Sequence, residues 1–168
     1  MAVPFQVTFD CADPAGMSEF WAGALGYKLQ DPPPGFNSWE DWLRDQGIPE
    51  ELWNSMSAVV DPDGDGPRLL FQAVPEAKLV KNRVHLDLNV GLPRDEGSRG
   101  RVVDASERLQ ALGATKLREA EERGEFWIVM QDPEGNEFCL QRLRPYSSVV
   151  TRRARLICER LLLSCSRR

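Results

Sequence analysis

The only histidine of the chain lies in a segment where polar and apolar residues alternate. His85 and Asp87 are separated by one residue, and Val84, Leu86 and Leu88 are their apolar neighbours. Side chains of an extended strand alternate between two faces, so His85 and Asp87 are expected on the same face. An imidazole beside a carboxylate can position a polar ligand or act as an acid/base pair. A lone histidine on a strand can equally be a hydrogen-bonded structural residue, and the sequence leaves both interpretations open.

This segment belongs to the second copy of a pattern that occurs twice. The first copy runs through residues 5–10, 24–26, 61–64 and 69–72, and the second through residues 84–89, 111–113, 132–135 and 138–141. The shared order of strand, helix end, turn and strand indicates an internal repeat. We therefore expect two similar modules that bury their apolar faces against each other and leave a cleft, where function should be sought.

The first copy contains an insertion at residues 32–53, which makes it 16 residues longer than the second copy between the helix end and the turn. Three prolines open the insertion and exclude a helix or a central strand there. Three tryptophans follow, Trp39, Trp42 and Trp53. They either cover the core of the first module or wall a ligand pocket, since pockets are lined largely by apolar and aromatic groups. We favour a lid role for Trp39 and a core role for Trp53.

Composition and charge restrict the function classes. The 168 residues carry a net charge of −5, but eight arginines and one glutamate from Arg142 onward leave −12 on residues 1–141. An acidic body argues against a nucleic-acid-binding core. No apolar run is long enough to span a membrane, and no signal-peptide pattern opens the sequence. Four cysteines at no disulfide or zinc spacing favour a reducing cytoplasm.

Local signals predict the elements of each module. Asp13-Pro14 begins a helix that ends at Gly26, and a second long helix ends at Gly113. Shorter helical segments are expected at 39–45 and 49–53. Strands are predicted at 3–9, 27–29, 56–60, 68–74, 83–90, 115–118, 126–131 and 136–143, and residues 119–124 are predicted to form a charged turn.

Two such units, each with an Asp-Pro-acidic-Gly turn before its last strand, resemble the vicinal oxygen chelate superfamily of glyoxalase I, bleomycin-resistance proteins and extradiol dioxygenases. Segments 70–76, 81–88 and 132–139 are similar to a glyoxalase-like subfamily. The resemblance covers residues 3–143. It implies an α+β fold in which two βαβββ modules, within 1–76 and 82–143, form a curved, mostly antiparallel eight-stranded sheet around a central cleft. Many members dimerise, and a homodimer could cover exposed sheet edges here.

The resemblance also implies where a metal would bind. Metal-dependent members hold a divalent ion with four cleft-facing side chains, and these positions fall on Gln6, His85, Cys139 and, through the repeat, Leu70. An amide, an imidazole, a thiol and a leucine are a poor ligand set for a transition metal. We therefore expect no cofactor. If a divalent metal is bound, its expected ligands are Gln6, His85 and Cys139.

The predicted function is metal-independent binding of a small molecule, as in glyoxalase-like or bleomycin-resistance proteins. The predicted ligand-binding residues are Gln6, Gln72, His85, Asp87, Cys139, Gln141 and Trp39. The alternative is a metal-dependent lyase or isomerase, similar to lactoylglutathione lyase, that acts on a vicinal dioxygen substrate. No catalytic residue is assigned, and we predict neither a nucleic-acid nor a membrane partner.

The basic C-terminal extension, residues 144–168, lies beyond the resemblance. Thr151 could cap a helix that carries Leu156, Ile157 and residues 161–163. This segment could be a helix that docks on its own body, an amphipathic segment for a membrane or a partner, or a poorly ordered extension. Self-docking or a peripheral helix is favoured, because the basic segment complements the acidic body.

Overall fold

The computed structural model describes residues 3–91 and 96–143, and in this part of the chain eight strands and three α-helices form two modules. Module one contains β1 (Gln6–Cys11), α1 (Pro14–Leu25), β2 (Lys28–Leu29), α2 (Trp39–Asp45), a 3₁₀ turn (Glu50–Leu52), β3 (Met56–Val60) and β4 (Arg68–Ala73). Module two contains β5 (Asp87–Gly91), α3 (Ser98–Ala111), β6 (Thr115–Glu122), β7 (Glu125–Gln131) and β8 (Glu137–Arg142). The predicted C-terminal helix lies outside the described residues.

Each module forms its own four-stranded sheet. The strand orders are β1-β4-β3-β2 and β5-β8-β7-β6. The first and last strands of each module pair in parallel, and the other pairs are antiparallel. The predicted α+β fold of two βαβββ modules is confirmed. Its eight strands are divided between two sheets, and within the described residues no ladder joins the edge strands β1 and β5.

Helix α1 begins and ends at the predicted residues. The Asp13 carboxylate accepts a hydrogen bond from the Gly16 N–H at 3.2 Å, and Pro14 occupies the first helical turn, where its missing N–H costs nothing. Gly26 ends the helix with a φ of 71°, a conformation that favours glycine because it has no Cβ. The helix packs its apolar side on β3 and β4.

One aromatic cluster joins the two modules. Trp21 of α1 is 1% exposed, and its ring lies 5.2 Å from Phe9 and 5.4 Å from Phe138 of β8. Its indole N–H donates to the buried Asp132 carboxylate at 3.4 Å. Burial raises the pKa of Asp132, although hydrogen bonds from Asn136 and Trp21 oppose this shift. The modules therefore share one core.

A carboxylate of module two also binds the start of α1. Glu134 accepts hydrogen bonds from the backbone N–H groups of Ala12 and Asp13 at 2.8–2.9 Å. These groups precede a helix N-terminus, where negative charge is favourable. The Asp-Pro-Glu-Gly turn of the second copy is thus an inter-module contact.

Several element boundaries differ from the prediction; β1, predicted at 3–9, runs from Gln6 to Cys11. Strand β6 continues to Glu122, so the turn is confined to Arg123 and Gly124, which have φ values of 54° and 76°. The prediction was wrong because β6 is exposed on both faces and shows no apolar alternation. Strand β5 begins at Asp87, so His85 lies two residues before it. In the described segments, no helix has the length and apolarity needed to cross a membrane.

Candidate functional site

The first and last strands of module two carry most of the predicted site residues on one face. In the parallel pairing of β5 with β8, Asp87 lies opposite Cys139 and Asn89 opposite Gln141. Leu88 and Leu140 point to the other side and are buried. Together with His85, these polar residues form the module-two face: His85, Asp87, Asn89, Cys139 and Gln141.

Hydrogen bonds on the module-two face converge on Asp87. His85 Nε2 lies 3.4 Å from Asp87 Oδ1, and Gln141 Nε2 donates to Asp87 Oδ2 at 3.3 Å and to Asn89 Oδ1 at 3.2 Å. The side chains of His85 and Asp87 are 42% and 44% exposed. Potential ligand atoms of His85, Asp87 and Cys139 all lie within 4.8 Å of one another. The structure therefore brings together four of the seven predicted site residues.

The thiol of Cys139 is held in its neutral form. Burial raises its pKa to about 11, and the Asp87 carboxylate, by its charge and by accepting a hydrogen bond, adds to this shift. The positive charges of Arg118 and Lys81 oppose the shift with smaller effects. A nucleophilic cysteine needs a lowered pKa and a cationic neighbour. Because Asp87 rather than an imidazolium acts on the thiol, Cys139 is not an activated nucleophile.

The equivalent strands of module one form a second polar face. In the parallel pairing of β1 with β4, Gln6, Thr8 and Asp10 lie opposite Arg68, Leu70 and Gln72. These six residues are the module-one face, and none of them is fully buried. The predicted residues Gln6 and Gln72 are both present on it. Gln72 Nε2 donates to Asp10 Oδ1 at 2.9 Å.

Arg68 organises the module-one face. Its Nη1 donates to Gln6 Oε1 at 2.9 Å, and its Nε donates to Gln30 Oε1 at 2.7 Å. Sequence reasoning missed Arg68, although Arg68, Leu70 and Gln72 alternate along one strand and must share a face. The alternation of side chains along β4 therefore already indicated that Arg68 lies on the same face as the predicted residue Gln72.

These residues do not fit the four-ligand metal site that the resemblance implies. The amide oxygen of Gln6, an expected ligand, accepts from a guanidinium, and a cation bound there would be repelled by Arg68. Leu70 offers no donor atom. A four-ligand site shared by the modules therefore does not fit. The three donors of module two form a different set, His85, Asp87 and Cys139, which suits a soft ion such as zinc better than an oxygen-seeking one.

The insertion extends the module-one face. Trp39 is 37% exposed, and its indole N–H donates to the Gln30 carbonyl at 2.7 Å, which places it next to the partner of Arg68. Its ring meets Trp42 edge-on at 5.6 Å. Trp53 is half-buried, donates to the Ile48 carbonyl and lies under the Arg44 guanidinium, so these contacts fall within the insertion. It is not among the residues of the hydrophobic core, so the predicted core role was wrong. The structure links Trp39 to module one and gives it no hydrogen bond to His85.

The described segments contain two concave regions. The larger, of about 340 Å³, lies between the modules and is lined mainly by apolar residues of β1, α1 and the approach to β5; Asp87 and Asn89 also contribute. The smaller, of about 190 Å³, lies at the start of α3 beside Arg99 and Phe126. Of the predicted residues, only Asp87 lines either region. On the open side of module two, Trp127 lies opposite Gln141 in the β7–β8 pairing and was also missed from the sequence.

Solved structures of similar fold come from several bacteria. A glyoxalase/bleomycin resistance protein/dioxygenase family enzyme from Burkholderia phytofirmans is 17% identical, with a TM-score of 0.55, and the match covers 83% of this chain and 97% of that one. The fosfomycin resistance protein FosX from Listeria monocytogenes, in a complex with Mn(II) and 1S,2S-dihydroxypropylphosphonic acid, is 12% identical, with a TM-score of 0.57 and coverages of 86% and 93%. A hypothetical protein from S. aureus is 13% identical, with a TM-score of 0.55 and coverages of 85% and 99%.

These identities establish a common fold and no common reaction. A search of curated proteins finds no match to this sequence. The model of the glyoxalase-like domain, in contrast, matches residues 6–141, which include both modules and both polar faces. The chain therefore belongs to the glyoxalase-like domain family.

Proposed function

We propose that this chain is a metal-independent protein that binds a small molecule on the module-one and module-two faces. The observation that carries the proposal is the hydrogen bond from Arg68 to Gln6. Through this bond the Arg68 cation occupies the expected metal-ligand atom of Gln6. The polar side chains around it stay accessible. Manganese, which FosX from Listeria monocytogenes binds, prefers oxygen ligands; Leu70 has none, and the amide oxygen of Gln6 already accepts from the Arg68 cation.

The proposal is tested on protein purified without a histidine tag. Elemental analysis is expected to find well under one transition-metal ion per chain. Calorimetric titration with a panel of metabolites and antibiotics is expected to find a ligand whose affinity falls when Gln72 or Gln141 is replaced by leucine. Glu107→Gln, on the exposed side of α3, is the matched control and should leave the affinity unchanged. A stoichiometric metal, or no binding by any compound of the panel, would contradict the proposal.

A second candidate, a metal-dependent lyase or isomerase, is favoured by one observation. His85, Asp87 and Cys139 place an imidazole, a carboxylate and a thiol within 4.8 Å of one another. Zinc sites with three protein ligands keep an open position for substrate. Zinc titration distinguishes the candidates: submicromolar zinc binding that is lost in His85→Ala and unchanged in Gln6→Ala would favour the enzyme.

We also propose that the protein is a homodimer of the reducing cytoplasm. Strands β1 and β5 are sheet edges in the described residues, and a second copy could cover them. Cys11 and Cys139 are free thiols, as expected in a reducing compartment. Light scattering that gives the monomer mass of 19.0 kDa, or cell fractionation that places the protein outside the cytoplasm, would contradict these statements.

A further inference from the structure

The charge of Arg68 is oriented by its neighbours and is not neutralised by them. Its two hydrogen-bond partners, Gln6 and Gln30, are neutral amides. Within residues 3–91 and 96–143, no carboxylate lies within salt-bridge distance of its guanidinium. Arg142, by contrast, forms a two-pronged pair with Glu125. A half-buried cation without an anionic neighbour gains most from an anion supplied by a ligand.

The geometry of the guanidinium leaves donors available for that anion. An arginine side chain carries five N–H donors in a planar fork. Nε and Nη1 each use one donor on a glutamine, and Nη2 makes no hydrogen bond to a described residue. Because Gln30 holds Nε and Gln6 holds Nη1, the guanidinium plane is fixed and the N–H groups of Nη2 are pre-oriented. Pre-oriented guanidinium donors recognise carboxylate and phosphate oxygens.

An apolar surface adjoins this cation. Leu70 follows Arg68 on the same face, and Ala58 lies opposite Leu70 in the β3–β4 pairing. Met56, on the same side of β3, is 61% exposed. Trp39 donates to the backbone carbonyl of Gln30, the residue whose side chain accepts from Arg68. A ligand whose oxyanion binds Arg68 could thus place an apolar body against Leu70, Ala58 and Met56.

We propose that the module-one face is an oxyanion site, in which Arg68 binds the carboxylate or phosphate group of a small molecule with an adjacent apolar body. This inference rests on the proposed small-molecule-binding function and names its ligand class. Gln6 and Gln30 act as positioning residues, since they contact the guanidinium.

The site is tested first on the unmodified protein by NMR of the arginine Nε–H groups. Sodium acetate and sodium phosphate are titrated, with sodium chloride at equal ionic strength as the control. The Arg68 signal, identified by its loss in Arg68→Lys, is expected to shift saturably with acetate or phosphate. The Arg99 signal is the internal control, because its guanidinium already pairs with Glu121 at 2.8 Å. No saturable shift of Arg68 with either anion overturns the proposal.

Calorimetry with a matched pair of probes tests the ligand class. 2-Naphthoate and 2-naphthamide share a ring system and differ in charge. We expect naphthoate to bind at least about tenfold more tightly, and Arg68→Gln to remove that preference while Arg99→Gln preserves it. Equal affinities for the two probes overturn the proposal. Circular dichroism confirms that each variant is folded, and Arg68→Lys, which keeps the charge, should retain part of the preference.

The outcomes separate this inference from the broader function. If neutral compounds bind to the two faces and Arg68→Gln leaves their affinity unchanged, the small-molecule function stands and the oxyanion site is refuted. If Arg68 responds saturably to acetate or phosphate while no compound of the metabolite panel binds, the oxyanion site stands and the broader proposal fails.

Discussion

The module-one and module-two faces occupy equivalent positions in the repeat, and the side chain that organises the hydrogen bonds has opposite charge on each. On module one, a cation is central: Arg68 donates to Gln6 and Gln30. On module two, an anion is central: Asp87 receives hydrogen bonds from Gln141 and Cys139 and lies beside His85. The two modules therefore share the same backbone fold but carry different side chains on their polar faces. A ligand that contacts both halves needs an acceptor group at one end and a donor group at the other.

The opposite sides of the same strands show no such difference. Leu69 and Phe71 in β4 correspond to Phe138 and Leu140 in β8, and all four are at most 2% exposed. A closely packed core tolerates only apolar side chains of suitable volume. Divergence between the copies is thus concentrated where packing does not restrict it, which is also where ligands bind.

The largest expected effect tests whether the modules really share one core. Trp21→Ala should lower the free energy of unfolding by about 3–5 kcal/mol, because a fully buried indole contacts aromatic rings of both modules. Leu79→Ala, at a side chain that is 90% exposed, is the control and should change it by less than about 0.5 kcal/mol. Chemical denaturation followed by fluorescence and by circular dichroism measures both. Two separate transitions, one for each module, would show that the faces belong to independent units.

The next effect concerns the module-two face, on which Asp87 is central. Because the pKa of Cys139 is about 11, against an ordinary 9.0, its thiolate population at pH 8 should be about a hundredfold below that of a free thiol. Alkylation by iodoacetamide, followed by mass spectrometry of the Cys139 peptide, should therefore be slow and should accelerate up to about pH 11. Asp87→Asn removes a negative charge, lowers this pKa and should speed alkylation at pH 8 about three- to tenfold. Asp10→Asn on module one is the matched control.

The same thiol predicts how stability depends on pH. The folded pKa lies above the unfolded value, so the folded state binds more protons between about pH 9 and 11. The contribution of Cys139 to stability is complete below pH 9 and is lost as the pH rises through this window. Cys139→Ser should weaken that pH dependence. If the pH dependence of Cys139 alkylation has its midpoint near 9 and does not change in Asp87→Asn, then Asp87 does not raise the pKa of this thiol. The proposed electrostatic difference between the two faces would then be contradicted.

The smallest expected effect concerns the module-one face and the insertion beside it. Trp39→Phe removes the hydrogen bond to the Gln30 carbonyl and should cost about 1 kcal/mol or less, since the side chain is partly exposed. If Trp39 is a lid, the affinity for 2-naphthoate should fall at the same time. Trp53→Phe, which removes a hydrogen bond to Ile48 instead, should leave that affinity unchanged. Equal losses of affinity in both variants would deny Trp39 a specific role.

Sequence patterns determined the architecture because they act over short distances. The repeat order, the Asp13-Pro14 start of α1 and its glycine end follow from local backbone preferences, and the structure confirms them. The alternation of residues 84–89 and 138–141 was enough to place Asp87, Cys139 and Gln141 on one face. The resemblance supplied the pairing of the modules, which alternation alone could not.

The chemistry of the site depended on contacts between residues far apart in the chain. Arg68 meets Gln6 across 62 positions and Gln30 across 38, so no local pattern could show that the expected ligand Gln6 accepts from a guanidinium. Likewise, Asp87 acts on Cys139 through a strand pairing that spans 52 positions, and only the resulting burial and charge raise the pKa of the thiol. Electrostatic effects depend on distance and desolvation in three dimensions, and these were decided by the tertiary structure.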